Sequence, residues 1–126
     1  MKKILLIVEK LQNELHGRVL YDDDLLVDSA DNILTLEKKI KKLLHDFHGL
    51  EINQIEFEHT YDITALFDKF QYLNITSIAK KAEINPTLLR QYASGVKHPS
   101  AIQAKKLEDA IHKIGMELSS VLVYGK

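Results

Sequence analysis

Hydrophobic and polar positions follow different periods in the two halves of the chain. In the first half, short stretches that are continuously apolar or alternate at every second residue predict four β-strands. These stretches are "KKILLIVEK", "ELHGRVLYDDD", "DLLVDSADN" and "NQIEFEHTY". The first contains an unbroken apolar run, Ile4 to Val8, which is typical of a strand buried on both faces. Gly17 in the second stretch predicts a bulge or a close approach of another element.

One amphipathic helix is predicted between the third and fourth strands. Its apolar positions follow the helical spacing i, i+4, i+7, i+8 and i+11 and are Leu36, Ile40, Leu43, Leu44 and Phe47. Thr35 or Asp31 is expected to cap its beginning, and Gly49 is expected to end it. The first half is therefore predicted to have the order β-β-β-α-β.

From Asp62 onward the pattern is helical. Asp62 can cap one helix, and Asn74 or Thr76 can begin the next. Pro86 suits the first position of a further helix, where no backbone donor is lost, and Gly95 suits the position that ends it.

The last helix is predicted to follow a capping box formed by Ser100 and Gln103. Its apolar positions lead to Gly115, and the stretch "MELSSVLVY" beyond is ambiguous between a helical turn and a strand. The sequence thus predicts an α+β chain with a β-β-β-α-β domain at residues 1–61 and an all-α domain at 62–126.

Charge is distributed unequally between the two halves. Residues 1–71 carry nine Lys or Arg and fourteen Asp or Glu, a net of −5, whereas residues 72–126 carry eight and four, a net of +4. The basic half is the better candidate for a polyanionic partner. Taken alone, the asymmetry is explained equally well by chance scatter of surface charge.

Composition excludes several classes of function. The chain has no cysteine, which rules out disulfides, thiol catalysis and cysteine metal sites. Its N-terminal apolar run is too short for a signal peptide, and no segment is long enough to span a membrane. We therefore expect a cytoplasmic protein without a membrane partner.

Two short predicted helices between Ile75 and Gly95 form the main candidate site. Ala79 is small where the second helix would cross the first, so the pair can pack closely and expose the outer face of the second helix. On that face arginine can donate two hydrogen bonds to guanine, and glutamine can pair with adenine. Backbone N–H groups at the start of the second helix, near Asn85, are expected to bind a phosphate. The candidate DNA-binding residues are Thr76, Ser77, Asn85, Thr87, Leu88, Arg90, Gln91, Ser94 and Lys97. The alternative is a plain helical bundle whose exposed helix is polar for no functional reason.

The stretch "SIAKKAEINPTLLRQYASGVKHPS" resembles the helix-turn-helix of phage-repressor-like (XRE-type) regulators. That family often has glycine at the turn position that Glu83 occupies here. The turn is therefore expected either to lack a left-handed residue or to hold Glu83 in that conformation at a cost in free energy.

A longer resemblance covers nearly the whole chain. Residues from "DITALFDKF" to "GMELSSV" resemble the C-terminal region of HicB-like antitoxins, and the β-β-β-α-β order is similar to their small partial RNase H-like domain. The resemblance implies a non-enzymatic regulator that binds double-stranded DNA, represses its own operon and binds a small basic HicA-like ribonuclease toxin. It also implies a homodimer or a higher homo-oligomer, since one helix reads few bases.

Other chemistry was considered for the acidic and histidine residues. Asp22, Asp23 and Asp24, with Asp28, suggest a two-metal nuclease, but three consecutive residues cannot all point one way on a strand, and a solvated turn is favoured. The histidines His45, His48 and His59 are interpreted as surface or half-buried residues rather than metal ligands. No catalytic residue, metal or cofactor is predicted. The alternatives to DNA binding are a module for protein interaction or dimerisation and, less favoured, the metal-dependent nuclease.

Overall fold

The computed structural model describes all 126 residues and has an α+β fold with a four-stranded mixed sheet and five α-helices. In chain order the elements are β1 (Lys2–Leu11), β2 (Glu14–Tyr21), β3 (Asp24–Ala30), α1 (Ile33–His48), β4 (Ile55–Tyr61), α2 (Ile63–Lys69), α3 (Ile75–Ala82), α4 (Pro86–Ser94) and α5 (Ala101–Ser119). The chain divides into two compact units, a first unit Met1–Lys69 and a second unit Phe70–Lys126.

The sheet of the first unit has the strand order β3-β2-β1-β4. β1, β2 and β3 are joined as antiparallel hairpins, whereas β4 returns parallel to β1 after the crossover helix α1. The β2–β3 turn consists of Asp22 and Asp23, whose φ angles are 47° and 62°. Two successive residues with positive φ are what a tight two-residue hairpin requires.

Helix α1 covers one face of the sheet. Leu36, Ile40 and Leu44 are fully buried against Leu6 and Val8 of the sheet. Because β2 lies directly beneath the helix, a Cβ atom on Gly17 would come within 3.0 Å of Leu36 Cδ2. The glycine expected to mark a bulge or a close approach therefore marks a close approach.

The ends of α1 differ in one detail from the sequence prediction. Asn32, not Thr35 or Asp31, is the N-cap: its backbone is extended, and its side chain accepts a hydrogen bond from the Thr35 N–H at 2.8 Å. Thr35 is already inside the helix and supplies the donor. Gly49 ends the helix with a left-handed φ of 68°, as predicted.

Phe47 is the one predicted apolar position of α1 that stays in solvent. Its side chain is 68% exposed, while Leu44, one turn earlier, is fully buried. Leu44 is the last buried residue of α1, so Phe47 lies beyond the end of the core although it continues the apolar spacing of the helix.

The opposite face of the sheet is open, which contradicts the prediction that β1 is buried on both faces. Ile4, Leu6 and Val8 point toward α1 and are buried, but Leu5 between them is 49% exposed. The reason is topological: the single crossover helix of this unit covers one side of the sheet only.

Helix α2 belongs to the first unit, although the predicted domain boundary lies between residues 61 and 62. The Asp62 N–H donates to the Val8 carbonyl oxygen at 2.9 Å, which continues the β1–β4 ladder. The Asp62 side chain caps α2 by accepting from the Ala65 N–H at 2.8 Å, as predicted, and an ion pair joins Lys10 to Asp68. These bonds attach α2 to β1, so the structural division falls at residue 69.

The second unit is built from α3, α4 and α5. Its buried side chains are Ile78, Ala79, Ala82, Ile84, Leu89, Tyr92, Leu107 and Ala110. Helix α5 runs to Ser119, four residues past the predicted end at Gly115, because that glycine keeps a helical backbone and is not left-handed. The ambiguous stretch is thus helical up to Ser119, and residues 120–126 have no regular structure. No helix of either unit has the length and apolar character needed to cross a membrane.

Candidate nucleic-acid interface

Helix α3 begins and ends at well-defined caps. Asn74 is the N-cap and accepts from the Ser77 N–H at 3.0 Å, which decides between the two predicted starts, Asn74 and Thr76. Ile78, Ala79 and Ala82 are buried along its inner face. The small Ala79 has no exposed surface, as expected where a second helix crosses closely.

The turn between α3 and α4 depends on Glu83. This residue has φ 57° and ψ 41°, so it adopts the left-handed conformation that glycine usually supplies. The N–H of Ile84 donates to the Ala79 carbonyl oxygen at 2.9 Å, and the Ile84 side chain is buried directly after the turn. Of the two expected forms of the turn, the structure has the one in which a non-glycine residue is left-handed, which costs about 1–2 kcal/mol.

Helix α4 is nine residues long and is fixed at both ends. Pro86 lies in its first turn, and Gly95 ends it with a left-handed φ of 82°, both as predicted. Leu89 and Tyr92 are buried on its inner face. The outer face is therefore presented by a short helix that has little freedom to rotate or slide.

The start of α4 differs from what the sequence predicted. Asn85 accepts hydrogen bonds through its side-chain oxygen from the N–H groups of Thr87 at 2.9 Å and Leu88 at 3.2 Å. Pro86 has no N–H, and the Leu89 N–H donates to the Asn85 carbonyl oxygen. Every backbone donor of this first turn is thus already paired, and the predicted phosphate site on them is filled by the protein's own cap.

On the outer face of α4, Thr87, Arg90 and Ser94 are exposed, and Leu88 and Gln91 are half-buried. Arg90 donates from Nη2 to the Thr76 hydroxyl oxygen at 2.9 Å, so α3 and α4 are joined on their outer side. The Ser94 hydroxyl donates to the Gln91 carbonyl oxygen at 3.2 Å. This face carries no carboxylate.

Cations surround this pair of helices. Lys80 in the last turn of α3 and Lys97 just after α4 are exposed and form no salt bridge, whereas Lys81 lies 3.6 Å from a Glu117 carboxylate oxygen. Ser77 is exposed as well. Lys80 is not among the residues predicted from the sequence; the signal that could have identified it is the lysine pair shortly before the turn.

The charges of α5 balance in number, since Lys105, Lys106 and Lys113 stand against Glu108, Asp109 and Glu117. Hydrogen bonds to Asp109 and Glu108 raise the pKa of Lys105, so its ammonium is protonated but locally neutralised. Ser100 accepts from the Gln103 N–H at 3.2 Å, but the buried side-chain oxygen of Gln103 has no partner. The predicted capping box is therefore only half formed.

The aspartates considered for metal binding point to different partners. Asp22 and Asp23 form the hairpin turn, and an Asp24 carboxylate oxygen lies 2.9 Å from the His48 Nε2. Asp28 accepts from the Ser29 N–H at 2.8 Å. No group of three histidine, aspartate or glutamate side chains is placed to hold a metal ion.

The other two histidines considered as metal ligands, His45 and His59, also have partners. His45 Nδ1 is 2.9 Å from the Leu50 carbonyl oxygen, and His59 is hydrogen-bonded to Glu37 and stacks on the Tyr61 ring. His45, His48 and His59 therefore contact three different partners and do not converge on one site.

The candidate site is therefore the outer surface of α3 and α4, where Thr76 and Arg90 are in contact. The remaining predicted residues lie on these two helices, in the turn between them (Asn85) and in the loop after them (Lys97). Comparison of the chain with protein-family models, with curated proteins and with solved structures gives no match.

Proposed function

We propose that the chain is a sequence-specific DNA-binding transcriptional regulator that uses α3 and α4 as a helix-turn-helix. The observation that carries the proposal is α4 itself: a short helix anchored by Leu89 and Tyr92, capped at both ends, with a polar outer face that lacks any carboxylate. With its side chains an α-helix is about 10–12 Å across, which fits a major groove about 12 Å wide.

Arg90 is the residue with the largest expected share in base recognition. Its bond to Thr76 uses one N–H donor and leaves the others for a guanine edge. Because the guanidinium is already oriented before DNA arrives, less conformational entropy is lost on binding. Thr87 and Gln91 flank it and would select neighbouring bases, with Leu88 and Ser94 at the border of the contact.

Phosphate contacts would come from side chains rather than from the start of α4. Lys80 and Lys97 are exposed and unpaired by any carboxylate, so they are free to neutralise the DNA backbone. The exposed Ser77 hydroxyl can donate a hydrogen bond to a phosphate oxygen. The net charge of +4 over the second unit, eight Lys or Arg against four Asp or Glu, favours the same partner.

The more specific proposal is a HicB-like antitoxin that represses its own operon. It is supported by the resemblance described above, by the β-β-β-α-β order, and by the net charge of −5 on the first unit, which suits a small basic HicA-like toxin. A short basic reading frame next to this gene would supply that partner, and copurification of its product with the full chain would test this part separately.

DNA binding is tested by titrating the full chain against the DNA upstream of its own gene. We expect Arg90→Ala and Gln91→Ala each to weaken specific binding by about 1–3 kcal/mol, or roughly 5- to 150-fold. The matched control is Lys113→Ala, which removes an exposed cation from α5 outside the helix pair and should change affinity far less.

The same titration with a scrambled duplex separates recognition from general attraction. Arg90→Ala should reduce the preference for the upstream DNA, whereas Lys97→Ala should weaken binding to both duplexes alike. If Arg90→Ala and Gln91→Ala leave specific binding untouched, α4 is not the reading helix and the proposal is wrong.

A further inference from the structure

The open face of the sheet carries an apolar patch that borders Arg18 on three sides. In one row across the sheet, Leu25 of β3 is paired with Leu20 of β2, and Leu5 of β1 follows. In the next row, Val27 of β3 is paired with Arg18 of β2, which is paired with Ile7 of β1. Leu5, Leu20 and Leu25 are 49%, 68% and 58% exposed in the whole chain, and Val27 is 60% exposed. We name this surface the open apolar face: Leu5, Ile7, Leu20, Leu25 and Val27.

Its residue pattern is that of a buried surface. The run Ile4 to Val8 in β1 is apolar at every position, which is typical of strands covered on both sides. Leu25 to Val27 in β3 has the same character. Scattered exposed apolar residues are ordinary on protein surfaces, but a contiguous patch across three adjacent strands marks an interaction site.

We propose that a second copy of this chain covers the open apolar face, so that two sheets stack face to face about a two-fold axis. The charges around the patch favour a copy over a strongly charged partner. Arg18 and Lys3 lie on this side of the sheet together with Glu9, Glu56 and Glu58, and Arg18 is already hydrogen-bonded to Glu9. A surface with both signs can oppose its own positive and negative groups across a two-fold axis, because each contact then occurs twice.

The size of the face sets the expected affinity. Together with its polar border on β4, Glu56 and Glu58, the whole face has four strands about 4.8 Å apart and roughly seven residues long. It therefore measures roughly 450 Å², or about 900 Å² over two copies. Interfaces that bury less than about 1,200 Å² in total are typical of weak, transient association. We therefore expect a dimer with a dissociation constant on the order of micromolar.

The test is the oligomeric state of the full chain, measured without DNA by sedimentation velocity from about one to a few hundred micromolar. The wild-type protein should shift toward twice the mass of one chain as concentration rises. Leu20→Lys should raise the dimer dissociation constant at least tenfold. Leu34→Lys is the matched control, since Leu34 is also 68% exposed but lies on α1, and it should leave the constant within twofold.

A polar variant that keeps a high β-strand propensity distinguishes loss of the dimer from loss of the fold. Leu20→Thr should weaken the dimer while the far-ultraviolet circular dichroism stays unchanged. The inference is overturned by a monomer at every concentration, or by a dimer that resists both Leu20→Thr and Val27→Lys. A dimer lost only with Leu122→Lys, in the exposed residues after α5, overturns it too and assigns the contact to that segment.

This inference does not depend on DNA binding. A wild-type monomer that binds its upstream DNA specifically would overturn the sheet-to-sheet dimer alone. A dimer sensitive to Leu20→Thr that shows no preference among duplexes would overturn the proposed function alone.

Discussion

The two units of this chain present opposite kinds of surface. The first has a net charge of −5 and leaves an apolar sheet face open to solvent, whereas the second has a net charge of +4 and presents a polar helix whose ends are fixed. A flat apolar face gains free energy by excluding water from a similar face, and a short capped helix gains specificity by holding hydrogen-bonding groups in place. The comparison teaches that the two units offer different chemistry to a partner, an apolar sheet face on the first and hydrogen-bonding side chains on a fixed helix on the second.

The largest expected effect is a loss of stability that is confined to the core of the second unit. Leu89 is fully buried in the second unit, so Leu89→Ala should cost about 2–5 kcal/mol through lost burial and the cavity it leaves. Amide hydrogen exchange should show α3 and α4 opening while β1 and α1 keep their protection. Leu88→Ala, one position along and half-buried, is the control and should cost much less.

If Leu89→Ala also removed protection from β1 and α1, the two units would unfold as one. The two different surfaces would then not belong to independently stable units.

The next effect concerns the close packing of α1 on the sheet. A Cβ at residue 17 would meet the fully buried Leu36 side chain at 3.0 Å, so Gly17→Ala should destabilise the first unit by about 1–3 kcal/mol. Thermal unfolding followed by circular dichroism measures this. Gly115→Ala is the control: nothing lies near its Cβ, and alanine in a helix should stabilise the chain by up to about 1 kcal/mol.

The smallest expected effect tests whether the backbone of Glu83, in the turn between α3 and α4, is strained. Glu83 is left-handed, and glycine there removes about 1–2 kcal/mol of strain while losing part of that gain to its greater freedom in the unfolded chain. Glu83→Gly should therefore raise the free energy of unfolding by about 0.5–1 kcal/mol in urea titrations.

Glu108→Gly provides the opposite control. It lies inside α5 with a helical backbone, so the same substitution should destabilise by about 1 kcal/mol. If Glu83→Gly and Glu108→Gly both lowered the free energy of unfolding, the assignment of strain to Glu83 would be wrong.

Local signals predicted most of the elements. Alternation and helical spacing identified the strands and α1, and Pro86 and Gly95 marked the ends of α4 because each residue acts on its own backbone. The cap of α1 was misplaced because Thr35 and Asn32 both suit an N-cap, and only the extended backbone at Asn32 decides between them.

Features that depend on contacts between distant residues could not be predicted in this way. The bond from Arg90 to Thr76 joins two helices and has no spacing rule. The exposure of Leu5 follows from the presence of a single covering helix, which the apolar run of β1 does not reveal. The pairing of Asn85 with the first turn of α4 shows that a good cap and a phosphate site compete for the same donors.

The most direct test of the central claim is the salt dependence of binding to the upstream duplex and to a scrambled one. With phosphate contacts from the second unit and base contacts from α4, log affinity should fall linearly with log salt with a similar steep slope for both duplexes, and the upstream duplex should bind more tightly throughout. Equal affinity for the two duplexes, or an affinity that does not change with salt, would contradict the account.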